Sequence, residues 1–195
     1  MNTSELRAAA ELMGMLLADP RTLLLLVLLF AGAVWDARTY RIPNLLTMGG
    51  SAAALLYSML VPLPFHNGLL WALAGLAVGL VMMLPLYLLH AMGAGDVKLM
   101  AMAGAFLGPD EVVRAVIFVF ITGGIAAVSY SLWHRAAASL VRNTLHSVQM
   151  LFISASAGIR PDARQHTASI GKLPYGVSIA IGTTAFLVAR QFTWI

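Results

Sequence analysis

No cysteine occurs among the 195 residues, which excludes disulfide crosslinks and thiolate-ligated metal centres. Charge is also scarce. Only 10% of residues are Asp, Glu, Lys or Arg, where soluble domains carry roughly 25%. The net charge of +4 is spread along the chain with no Lys/Arg cluster, so no nucleic-acid partner is expected. No serine stands in a Gly-x-Ser-x-Gly setting, and a cysteine nucleophile is ruled out by composition. The five histidines are scattered; His90, near Gly93, is read as structural, and no metal or other cofactor is expected. No internal repeat is evident.

What is abundant is apolar surface: 60% of the residues are hydrophobic. A globule leaves about half of its apolar area exposed, so a chain this apolar needs lipid as its solvent. Six apolar segments stand out, at about 20–37, 44–61, 69–91, 97–107, 111–133 and 173–189. They predict an all-α, polytopic membrane bundle of about six transmembrane helices. Asp19 with Pro20 is an N-cap followed by proline at the first helical position. Asn44 is expected to cap the second helix, with Pro43 blocking extension backward. The fourth segment has 11 residues, roughly 16 Å of helix against a bilayer core of about 30 Å. Its start near Asp96 is therefore recessed, with Gly93-Ala94-Gly95 read as irregular backbone lining a wet cleft.

The N-terminus lacks a signal-peptide pattern, because Glu5, Glu11 and Asp19 lie where a cationic region is expected. Residues 1–19 are read as a separate segment, with 2–18 either an amphipathic helix on the membrane surface or a frayed tail. The membrane-embedded domain is expected over 20–195, with a cytoplasmic loop at 134–172. Within that loop Arg135, Arg142, His146 and Gln149 share one helical stripe, which predicts a helix lying on the membrane. Placing the turn after the first helix in the cytoplasm puts eight Lys/Arg inside and leaves four outside (Arg7, Arg21, Arg114 and Arg190). That choice satisfies the positive-inside rule and puts both termini outside.

An ionisable residue at membrane depth is costly and is a functional candidate by default. Asp36 and Asp96, 60 residues apart, are the two carboxylates so placed, and both fall at the same membrane face. A close pair of carboxylates shares a proton; the ionised member activates water while the protonated one polarises a carbonyl. That machinery hydrolyses peptides without a metal. Bland readings stand beside it. Asp36 is also a helix-end residue within reach of Arg38 or Arg41, and Asp96 a helix N-cap. Lys98 either snorkels to the head groups or tunes the aspartates. Gly93 and Gly95 are turn residues or points of close substrate approach. The eleven methionines are read as packing or lipid-facing residues. A small transporter with a polar path through Asp36, Asp96 and Lys98, or an assembly subunit of a secretion complex, is the alternative to a protease.

The stretch Asp36-Ala37-Arg38-Thr39-Tyr40-Arg41-Ile42-Pro43-Asn44 resembles the first motif of type IV prepilin peptidases, an aspartate followed by a basic residue and Ile-Pro-Asn. Gly93-Ala94-Gly95-Asp96-Val97-Lys98-Leu99 resembles their second, Gly-x-Gly-Asp with a following lysine, and Lys172-Leu173-Pro174-Tyr175-Gly176 the opening of their last helix. The resemblance implies an aspartic endopeptidase of the inner (plasma) membrane with Asp36 and Asp96 as catalytic residues. Arg41, Pro43, Asn44, Gly93, Gly95 and Lys98 would be substrate-binding or supporting residues. It further implies that the substrates are prepilins or pseudopilins, whose basic leader is removed at the cytoplasmic face, and that the partners include other pilus-assembly components. Longer members carry a cysteine-paired N-terminal domain and N-methylate their product. This cysteine-free chain resembles the short, peptidase-only branch that serves tight-adherence (Flp-type) pili and secretion. Pro174, Tyr175 and Gly176 are expected mainly to shape a helix start.

Overall fold

In the computed structural model, which describes residues 14, 19–61, 68–89, 92–133 and 174–191, Asp19 opens the first helix as the sequence predicts. Its carboxylate accepts the backbone N–H groups of Arg21 and Thr22, each at 3.2 Å. Pro20 takes the first helical position, where the missing N–H would have no partner anyway. Helix α1 then runs Pro20–Thr39. Five more follow: α2 (Asn44–Leu60), α3 (Gly68–Leu88), α4 (Ala94–Leu107), α5 (Pro109–Trp133) and α6 (Tyr175–Gln191). No strand occurs among the described residues, and the fold is an all-α bundle. The expected surface helix at 2–18 (residue 14 apart), the loop at 134–172 with its interfacial helix, and His90 lie outside the described residues.

Helices α1, α3 and α5 are long and apolar enough to cross a membrane. Helices α2 and α6 have 17 residues each, about 25 Å at helical rise, and α4 has 14, about 21 Å. The outer surface is apolar, and several polar groups are buried within a largely apolar core. Phe30 and Leu45 are 71% and 86% exposed, whereas Arg21, Asp36, Ser58, Asp96 and Thr183 are buried. That distribution fits a lipid surround.

The short α4 is the axis of the bundle. It touches each of the other five helices, and 11 of its 14 residues are buried. Lipid tails are as apolar as leucine, so helices in a membrane associate through close packing rather than through escape from water. The α3–α4 seam is built for this. Ala72, Gly75, Gly79 and Met83 form the buried face of α3. A Cβ placed on Gly75 would stand 2.6 Å from the Cα of Gly108, and one on Gly79 would stand 2.7 Å from the carbonyl oxygen of Met100. The two backbones are thus in direct contact. The α5–α6 seam repeats the device at Gly182, where a Cβ would lie 2.6 Å from the Cα of Val119. There the Thr122 hydroxyl also lies 3.0 Å from the Ser178 carbonyl, and Phe118 meets Phe186 edge to face at 5.9 Å.

Several boundaries differ by a few residues from the sequence reading, and three of the differences have a local reason. Helix α4 begins at Ala94, not near Val97, so Ala94 and Gly95 are helical rather than irregular. Gly93 is the N-cap, and Asp96 reaches back to hold it from the third helical position. Helix α2 is capped by Pro43, and Asn44 is its first residue, because the Asn44 side chain is engaged elsewhere. Helix α5 begins at Pro109, two residues before Glu111, directly after Gly108 ends α4. Gly108 has φ +82°, and the Trp71 ring fills the space that a Cβ would need. Both conditions demand glycine.

The α3–α4 contact makes a direct prediction. Gly75→Ala puts a methyl group into backbone atoms and should destabilise the purified protein by about 1–3 kcal/mol. Gly124→Ala, in α5 with nothing within 4 Å of the new carbon, should be neutral or slightly stabilising. Thermal unfolding of both variants in detergent separates packing from propensity.

Candidate active site

The turn that follows α1 sets the first half of the site. Tyr40 closes α1 in a left-handed conformation, φ 52°, with its N–H on the Asp36 carbonyl at 2.8 Å. The Thr39 hydroxyl bridges the carbonyls of Trp35 and Arg41, both at 2.9 Å. The chain therefore reverses within a few residues and drops Ile42 into the core. Pro43, extended at ψ 134°, then starts α2. The Ile-Pro-Asn run is thus an anchor, a helix start and a polar hook.

The second half is the first turn of α4. Asp96 is buried, and its Oδ2 accepts the Gly93 N–H at 3.0 Å. This is the reciprocal half of a capping box, with glycine in the capping position. Gly95 faces Ile42 so closely that a Cβ would lie 3.2 Å from the Ile42 Cβ. Asn44 Oδ1 accepts from Lys98 Nζ at 2.8 Å, a second tie between the two motifs.

A third contact was less legible in sequence. Asp36 is buried near the end of α1, and its Oδ2 accepts the Gly176 N–H at 2.8 Å from the first turn of α6. A Cβ on Gly176 would lie 2.9 Å from that same oxygen and 3.0 Å from the Asp36 Cβ. Only a glycine brings this amide to this carboxylate. Tyr175, its neighbour, is within electrostatic reach of Asp96, and Asp96 within reach of Asp36. The ends of α1, α4 and α6 thus meet with two buried carboxylates between them, each held by one backbone amide. No cluster of side chains suited to holding a metal ion occurs among the described residues.

Among the expected supporting residues, Gly93, Gly95, Asn44 and Lys98 are at this junction, and Pro43 is at its edge as the cap of α2. Lys98 is exposed and bonded to Asn44, with no ion pair to either aspartate among the described residues. Arg41 is exposed, and no described hydrogen bond or ion pair engages its guanidinium. Gly176 was expected mainly to shape a helix start; the signal that marks it is a glycine directly after Pro174-Tyr175 at a helix start.

The Lys98–Asn44 bond is exposed, so its energy is small, no more than about 1 kcal/mol. Lys98→Met and Asn44→Ala should each cost about that much, and the double variant should cost no more than either alone. A double-mutant cycle by thermal unfolding reads the coupling; additive losses would mean that the two side chains act separately.

Searches of the curated proteins and of the solved structures returned no significant match. The family model for the type IV leader peptidase family matches residues 23–128. That span takes in nearly all of α1, the whole of α2 to α4 and most of α5, with both Asp36 and Asp96 inside it and Gly176 beyond it. The match covers more than half of the 195 residues, and the chain belongs to the type IV leader peptidase family.

Proposed function

We propose that this protein is an aspartic endopeptidase that removes the basic leader of type IV pilin-like precursors, with Asp36 and Asp96 as the catalytic pair. The observation that carries the reading is the burial of two carboxylates at one junction of an all-helical bundle, each with a single backbone amide on Oδ2. That leaves one oxygen of each carboxyl group for chemistry. Family membership favours a peptidase over a transporter or an assembly subunit.

In the proposed reaction the pair carries one proton between them and titrates as a unit. The ionised carboxylate takes a proton from water as its oxygen attacks the scissile carbonyl. The protonated partner gives its proton to the carbonyl oxygen. The tetrahedral gem-diol collapses as the amine leaves with a proton from the pair, and one gem-diol hydroxyl returns its proton to the pair. Water is consumed, no covalent enzyme intermediate forms, and the shared proton is restored.

Placing the Asp36 end of α1 at the cytoplasmic face of the plasma membrane follows from the charge distribution. The substrate's apolar helix then lies in the bilayer beside the bundle, with its basic leader in the cytoplasm. The scissile bond falls between them, at the depth of the aspartates. Tight-adherence (Flp-type) prepilins or pseudopilins are the proposed substrates. Gly93 and Gly95, half-open at the start of α4, leave room for a peptide backbone beside Asp96. Arg41, Pro43, Asn44 and Lys98 hold the rim.

Co-expression with an Flp-type prepilin, read by gel shift, tests the pair. Wild type should cut, while Asp36→Asn and Asp96→Asn should insert in the membrane and leave the precursor whole. Cleavage by both variants would remove the assignment. Gly176→Ala should lower kcat by about 100-fold with little effect on KM, since misplacing a reacting group by about 1 Å costs on that order. An unchanged kcat would show that the Gly176 amide does not position Asp36.

A further inference from the structure

At the other end of α1 lies a feature that leader cleavage does not use. Arg21, one residue inside the helix, is 7% exposed. Its position is 15 residues from Asp36 on the same helix, about 22 Å along the axis. A buried guanidinium is costly, and at a helix N-terminus it also opposes the helix dipole. Its described partners are weak ones for a full charge. Nη2 donates to the Ser58 hydroxyl and, at 3.4 Å, to the Ala105 carbonyl; the group also stacks over Trp71 at 4.5 Å and Tyr57 at 5.9 Å. Nε is buried without any partner. Among the described residues no carboxylate bonds to the Arg21 guanidinium. Asp19 is occupied by the cap of α1, and Glu111 pairs with Arg190.

Arg21 lines a cavity of about 440 Å³ between the ends of the helices. Arg114 and Asp110 line it too, and neither has a side-chain hydrogen bond or ion pair among the described residues. Trp71, Phe106 and Leu107 make its apolar wall. The lining holds three arginines and three carboxylates. Such a balance disfavours a dianion and suits a ligand that carries one charge of each sign. The Arg21 guanidinium in the cavity wall, which has no carboxylate bonded to it among the described residues, and the unpaired Arg114 call for an anion whose oxygens accept several donors. Asp110 calls for a cation. The apolar wall calls for an amphiphile, and the cavity stands where helix ends meet a membrane boundary.

We infer that this cavity binds the head group of a zwitterionic phospholipid from the leaflet opposite the aspartates, with the phosphodiester at Arg21 and Arg114 and the amine at Asp110. The same phosphate chemistry is offered by free phosphate, but the apolar wall and the acidic residues favour the lipid.

The test uses the full-length protein, delipidated in detergent, with thermal unfolding and native mass spectrometry as readouts. The probes are phosphatidylethanolamine, phosphatidylglycerol, diacylglycerol and inorganic phosphate. Phosphatidylethanolamine should bind one per protein and raise Tm; diacylglycerol, which has the chains but no phosphate, should not. Arg114→Gln should weaken phosphatidylethanolamine by about tenfold or more. Asp110→Asn should reduce it to the level of phosphatidylglycerol. Both residues are exposed, so their substitution spares the core. Both variants should cleave prepilin as wild type does, and lipid binding is read without reference to cleavage. Equal protection by inorganic phosphate alone would overturn the lipid assignment. Protection by diacylglycerol, or binding that survives both substitutions, would overturn the site.

Discussion

A helix of 14 residues reaches about 21 Å and cannot span a bilayer core of about 30 Å on its own. In a membrane at least one of its ends then lies below the surface, where exposed amide and carboxylate groups would meet hydrocarbon at a cost of several kcal/mol. The rest of the bundle answers that constraint. Five helices enclose α4, and glycines on α3 let the two backbones touch. The amide that the α4 N-terminus leaves over at Gly93 goes to Asp96. Burial of Asp96 is therefore a consequence of shortness, and shortness is tolerated because the helix has no lipid-facing side to speak of.

Two carboxylates in such a place need donors, and the structure supplies them from backbone rather than from cations. Gly93 serves Asp96, and Gly176 serves Asp36. A backbone amide stabilises a carboxylate without fixing a positive charge beside it, and among the described residues neither group is locked in a salt bridge. Lysine at this junction is kept apart by Asn44, at the exposed rim. On the proposed mechanism, in which the pair cycles one proton between water, carbonyl and amine, neutral donors are the better support.

Much of this was legible in the sequence because membrane physics leaves few choices. The six helices follow from apolar runs separated by Pro, Gly and charge, and the Asp19-Pro20 start reads directly as a cap. Asp36 and Asp96 stand out because acids are rare at such depth. What was misread is tertiary in origin. Asn44 has the chemistry of an N-cap, but Lys98, 54 residues away, takes its oxygen. Gly93 to Gly95 look like loop, but an acid at the third helical position draws them into the helix. Gly176 looks like a helix starter; only the 140-residue contact to Asp36 reveals why no side chain fits there. Arg21 was legible only as one positive charge in a topology count, since its solvent is Trp71, Tyr57 and Ser58 from two other helices.

The same central helix links the two polar ends. Its last turns present the Ala105 carbonyl to Arg21, and its first turn presents Asp96 to the junction with α1 and α6. Between them the Gly75 and Gly79 contacts set how far α4 can slide along α3. At the near end, Gly95 abuts Ile42 and Lys98 holds Asn44. A rod gripped at both ends and along its side has one axial position. An α-helix that slips moves by steps of a turn, about 5.4 Å, and a step of that size would carry Asp96 away from the junction where it now lies within electrostatic reach of Asp36. The register of α4 is therefore the quantity that all these contacts jointly determine, and the pairing of the two aspartates is its readout.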